Sequence, residues 1–199
     1  MKKLFAAIAA AAVLLAVSSV SAAQVHTVAP GDSMWKISVR YQTGLSEIIE
    51  ANPHIQNPEL IYPGQTINIP ATNSSVKAYE KEVVRLVNVE RAKYGIAPLT
   101  EDWELGRVAR YKSQDMRDSG YFSYNSPTYG SPFTMIKNFG LSYRTAAENI
   151  AKGQGTPAEV VRAWINSSVH RANILNKSFT KIGVGYVKSG NYWTQMFIG

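Results

Sequence analysis

The stretch "AENIAKGQGTPAEVVRAWINSSVHRANIL", residues 147–175, decides how the second half of this chain folds. Within it, "GTPAEVVRAWI" is a helix start written in full. Thr156 stands at the cap, Pro157 fills the first turn, where its missing N–H costs nothing, and Glu159 completes a capping box. Val160, Val161, Trp164 and Ile165 follow at helical spacing and form a face to be buried. The pattern breaks at "NSSVHR", where small polar residues surround His170 at the start of a second, short helix. The nearest other histidine is His54. His170 either works in a site or holds the fold together.

Downstream the period changes. "KIGVGYVKSGNYWTQMFIG", residues 181–199, alternates and reads as two strands joined at a Ser-Gly-Asn turn. Upstream, Tyr79, Val83, Leu86 and Val87 trace a helix from about Val76 to Tyr94, stopped by Gly95. Thr100 is expected to cap the next helix, which carries Leu105, Val108, Ala109, Lys112 and Met116 and ends at Gly120. "YFSYNSPTYG", 121–130, is an aromatic-rich loop, and "SPFTMIKNFG", 131–140, a third, shorter helix. Helices followed by an antiparallel hairpin predict an α+β sandwich.

Further out lies "ATNSS", residues 71–75, small, polar and without period. It predicts a linker over 71–77. Residues 24–70 ahead of it form a small β-α-α-β module. Val25 to Val28 is a strand, and Pro30 and Gly31 turn the chain. Asp32 or Ser33 caps a helix bearing Met34, Trp35, Ile37 and Tyr41, and Gly44 ends that unit. A second helix buries Ile48 and Ile49, and "TINIP" closes the module as a strand.

The totals limit what such a chain does. Of 199 residues 45% are hydrophobic and 18% charged, a globular composition. The formal charge of +7 carries no lysine or arginine run that would mark a nucleic-acid surface. Lys2 and Lys3, the apolar run from Leu4 to Val17, and small residues up to Ala23 predict a signal peptide over 1–23. The run is shorter than the ~20 residues of a membrane span, so no stable anchor is expected after cleavage. With no cysteine, a secreted chain must rest on packing alone.

Two resemblances follow. "HTVAPGDSMWKIS", "LSEIIEANP" and "IYPGQTINIP" resemble the LysM carbohydrate-binding module over residues 25–70. The resemblance implies binding of N-acetylglucosamine polymers, peptidoglycan or chitin, in a groove. Gly31, Asp32, Ser33 and Met34 would form one wall and Ile61, Tyr62, Pro63 and Gly64 the other. Backbone amides on such turns can read an acetamide while apolar atoms pack on its methyl. His26 and His54 have no metal-ligand spacing around them and read as surface or packing residues.

"LVNVERAKYGIAPL", "YFSYNSP", the 147–175 stretch and "FTKIGVG…NYWTQMF" look like the bacterial branch of the CAP superfamily, the SCP-like domains related to plant pathogenesis-related proteins of group 1. The likeness covers 78–199 and implies an α-β-α sandwich with an open cleft. In well-known members two histidines and two acids line that cleft, in some with zinc. His170 matches the second histidine and Glu148 the first glutamate. Tyr124 stands at the first histidine, Ser167 at the second acid, and Lys181 where relatives often carry an acid before "IGVG".

Half a quartet holds zinc poorly, so no metal or cofactor is expected. Glu148 and His170 remain candidate catalytic groups for a hydrolase of wall peptide, wall glycan or protein. The alternative is a Glu148–His170 hydrogen bond with Tyr124 closed over it, in a domain that binds or scaffolds. Trp35, Trp103 and Trp164 sit on apolar helical faces and read as core; Trp193 fits either core or ligand platform. Together the modules predict a secreted, wall-associated protein whose partners are peptidoglycan or a chitin-like glycan and cell-envelope or spore-coat proteins, with no nucleic acid.

Overall fold

The computed structural model describes residues 24–71 and 73–199. The expected signal peptide, 1–23, lies outside them. Among the described residues no helix is long and apolar enough to cross a membrane.

The first module runs β1 (Gln24–Thr27), α1 (Met34–Tyr41), α2 (Leu45–Glu50) and β2 (Thr66–Ile69), and its two strands pair antiparallel. Ser33 caps α1 by accepting from Lys36 N. Met34, Ile37, Ile48, Ile67 and Ile69 make the core. Trp35 is a correction: it is 54% exposed. An eight-residue helix against two strands buries one line, at 34, 37, 38 and partly 41, and position 35 falls off that line. Gly44 is a second correction. The left-handed residue that ends α1 is Gln42, while Gly44 caps α2.

The second module begins at α3 (Ser74–Lys93), capped by Asn73. The helix therefore starts inside the stretch expected as linker, because Asn73 accepts from Ser75 N and closes the first turn early. Then come β3 (Thr100–Glu101), α4 (Trp103–Asp118), α5 (Pro132–Asn138), β4 (Ala146–Lys152), α6 (Pro157–Asn166), α7 (Ser168–Ile174), β5 (Lys181–Val187) and β6 (Tyr192–Ile198). Thr100 does not cap α4. It pairs with Lys181 in β3, and Asp102 caps instead, accepting from Leu105 N.

The sheet order is β3-β5-β6-β4, with β5–β6 the expected hairpin. All seven residues of β6 are buried, as a central strand between two layers requires. Trp193 and Phe197 pack into one core with α3, α6 and α7, while Met196 and Ile198 face α4 and α5. This is an α-β-α sandwich. Trp164 and Trp193 are buried to within 1% in the larger core, and Trp103 is only half-buried. "IGVG" has a steric reason: a Cβ at Gly183 or Gly185 would overlap the backbone of Leu105, Gly106, Ala109 and Arg110, so only glycine lets α4 lie on β5. Arg91, 1% exposed, donates to the carbonyls of Ala97, Ile174 and Asn176 and so ties α3 to the end of α7.

Candidate functional site

In the first module Gly64, at the end of the second expected wall, is tied through the backbone to Val28, just after β1. Val28 N donates to Gln65 O and Gly64 N to Val28 O, both at 2.9 Å. Gly31 and Gly64 take φ of +85° and +91°, and nothing lies within 4 Å of where a side chain would begin on either. Both turns thus present bare backbone. Asp32 points inward. It accepts from Ala29 N at 2.9 Å and from His26 at 2.8 Å, and Arg40 adds a contact at 3.1 Å. Those hydrogen bonds, Ala29 first, hold its carboxyl down at about 2. Asp32 therefore shapes the turn, His26 is its packing partner, and Met34 is core at 3% exposure. Tyr62 is exposed and Ile61 half-buried. A depression of about 540 Å³ runs along residues 54–66, lined by Tyr62 and Gly64 of the second wall and by His54.

In the second module Tyr124 and His170 meet: Tyr124 Oη is 2.9 Å from His170 Nε2. Burial lowers the His170 pKa, which favours the neutral imidazole. Tyr124 is placed by Asp115, to which Ser126 and Thr128 each donate at 2.6 Å and Tyr121 also donates. Burial alone would raise the Asp115 pKa, but those hydroxyls outweigh it and lower it. Ser167 sits half-buried at the corner between α6 and α7, and its carbonyl accepts from Arg171 N.

Glu148 is 5% exposed on β4, and neither of its oxygens accepts a hydrogen bond from the protein. The expected Glu148–His170 bond is absent among the described residues. Asn149 does that work: its Nδ2 donates to His170 O at 3.1 Å and to Gln195 Oε1 at 3.0 Å, while Asn173 donates to its Oδ1 at 2.8 Å. Lys181 is turned elsewhere, to Asp102 at 2.8 Å.

Sequence reasoning also missed Lys112 as a site residue. It falls on the apolar stripe of α4 and is fully buried, but its Nζ donates to Tyr124 O at 2.7 Å. A lysine on a buried stripe was itself the signal. Burial raises the Glu148 pKa, against the charge of Lys112. Burial likewise lowers Lys112, against Glu148 and then Asp115. Among the described residues no three of His, Cys, Asp and Glu are placed to hold a metal. One imidazole already bonded to a phenol, and one carboxylate beside an ammonium, do not fit zinc.

A glycine-turn module joined to an α-β-α sandwich with a histidine-and-carboxylate cleft defines the class. The chain belongs to the CAP, or cysteine-rich secretory protein, family, which matches residues 84–197, and a LysM domain matches residues 26–70. YkwD of Bacillus subtilis is 66% identical over 126 residues, 63% of this chain and 49% of that protein. The spore coat assembly protein ExsA of Bacillus cereus is 28% identical over 100 residues, 39% of this chain and 16% of that one. The crystal structure of an extracellular protein containing an SCP domain from Bacillus anthracis superposes with a TM-score of 0.60 at 32% identity, covering 68% of this chain and 47% of that one. This chain thus spans about half the length of YkwD and less of ExsA.

Proposed function

We propose that this protein is secreted and binds N-acetylglucosamine-containing wall glycan through residues 24–70, presenting residues 78–199 as a binding or scaffolding domain in wall or spore-coat assembly. The observation that carries the reading is the pair of bare glycine turns at Gly31 and Gly64, the second tied through the backbone to Val28, with exposed Tyr62 near it in the chain. Backbone left uncovered by side chains suits the close approach of an acetamide, and a tyrosine face suits a sugar ring. The family match to LysM and the likeness to a spore coat assembly protein support it. A single shallow site binds weakly, so attachment draws on repeated units in the polymer. The test is co-sedimentation with purified peptidoglycan. The chain should pellet, and Tyr62→Ala should shift most of it to the supernatant. Wild-type protein that stays in solution overturns the proposal.

The hydrolase reading has one observation in its favour: a buried carboxylate, Glu148, with no protein donor. Against it, His170 bonds Tyr124 rather than Glu148. Wall turnover by wild type, Glu148→Gln and His170→Ala decides. Activity that disappears in folded variants establishes catalysis; no turnover by any of them supports the scaffold.

A further inference from the structure

A cleft of about 500 Å³ opens between the two modules, floored by α4. Arg107, Arg110 and Arg117 line it, together with Glu47 of the first module and Lys188 of the β5–β6 turn. Spacing of three and seven residues sets the three arginines along one side of the helix, over about 15 Å. Lys112, which serves the Tyr124 cleft, falls about 200° around α4 from Arg110, so the two clefts use different faces.

Each guanidinium is braced at one edge. Arg107 Nε donates to Glu47 Oε1 at 2.7 Å and its Nη2 to Ser46 Oγ at 3.0 Å. Arg110 Nε lies 3.0 Å from both oxygens of buried Glu80. Arg117 pairs with Asp118 at 2.6 and 3.0 Å. The carboxylates hold these groups without using all their donors. Among the described residues, both Nη groups of Arg110, one each of Arg107 and Arg117, and the Lys188 ammonium have no protein acceptor. Nearby Lys77 reports the field: burial, and next the charge of Arg110, lower its pKa. Braced arginines with spare N–H pairs form a preorganised oxyanion site. A lone carboxylate would satisfy one of them. A row needs charges repeated along a chain, and each phosphate diester carries one strong-acid charge on two equivalent oxygens that match a guanidinium fork.

We propose that this inter-module cleft binds a linear polymer of phosphate diesters lying along α4 across Arg107, Arg110 and Arg117 to Lys188. The site is separate from the glycan turns of the first module.

The test is calorimetric titration of the full chain with short poly(glycerol phosphate) at low salt. That probe carries no sugar, so the outcome does not depend on glycan binding. Wild type should bind. The double variant Arg117→Gln, Lys188→Gln, both outside the core, should bind about tenfold more weakly. Arg110→Gln should lose binding. Absence of wild-type binding, equal affinity in the folded double variant, or equally tight binding of poly-glutamate each overturns the proposal.

Discussion

Two buried glutamates, Glu80 on α3 and Glu148 on β4, each feel the charge of a cation of α4. Glu80 of α3, 4% exposed, receives Arg110 on both oxygens and Tyr186 N at 3.1 Å. Glu148 of β4, 5% exposed, receives nothing, and the cation nearest in charge, Lys112, is bonded to Tyr124 O instead. Burial raises the pKa of both, Glu80 to about 7, with Arg110 and Lys112 opposing it. The fold can complete a buried carboxylate, and at Glu80 it does. At Glu148 it leaves the bonding capacity open, which is how binding sites differ from struts.

The comparison breaks first at Arg110. Arg110→Met leaves Glu80 buried without its counter-ion and should cost about 3–5 kcal/mol at pH 8, read from urea unfolding. At pH 5, where Glu80 is protonated, the loss should shrink. A loss below ~1 kcal/mol at pH 8 would show that Glu80 is no better placed than Glu148.

pH dependence comes next. A carboxyl whose pKa is raised by folding binds more protons folded than unfolded. Its folded form is favoured below the unfolded value, near 4.5, and loses that advantage as pH rises through the folded value. For Glu80 the window runs from 4.5 to about 7, worth about 3 kcal/mol at most. Urea midpoints should fall as pH rises across it, and Glu80→Gln should remove the share that Glu80 supplies, leaving the part that comes from Glu148. A flat wild-type profile would mean that Glu80 is not desolvated as described.

Glu148→Gln should behave in the opposite sense to Arg110→Met. It removes a buried charge with no donor and should leave stability unchanged or raise it by about 1–2 kcal/mol at pH 8. A loss of that size would mean that Glu148 is a strut after all, and the contrast with Glu80 would vanish.

Local pattern made much of this architecture legible. Thr156, Pro157 and Glu159 form the capping box read from their spacing, and alternation over 181–198 gave the hairpin. Trp35 misled because helical spacing alone does not say how wide a face the rest of a small module can cover. Thr100 misled because a two-residue strand pairs with Lys181, some eighty positions away, and nothing local records that partner. The cleft was half legible. Tyr124 and His170 meet, but the bond tying α7 to β4 belongs to Asn149, one residue from Glu148. In a strand, neighbours face opposite ways, so a one-residue shift exchanges the roles of site and strut.

The finest test of the contrast concerns Tyr124. Its hydroxyl lies 2.9 Å from His170 Nε2 at an exposed rim, so Tyr124→Phe should cost under ~1 kcal/mol. Tyr124→His is more telling. It would set a second imidazole beside His170, with the unpartnered Glu148 carboxylate deeper in the cleft, and three ligands are what a zinc site needs. Zinc affinity should rise at least tenfold, about 1.4 kcal/mol, in a titration followed with a competing chelator. The Lys112 ammonium works against a cation there, so Lys112→Met in the same background should tighten zinc further. An unchanged titration in folded Tyr124→His would place position 124 away from the cleft. Open capacity at Glu148 would then have to be explained by a ligand approaching from the His170 side alone.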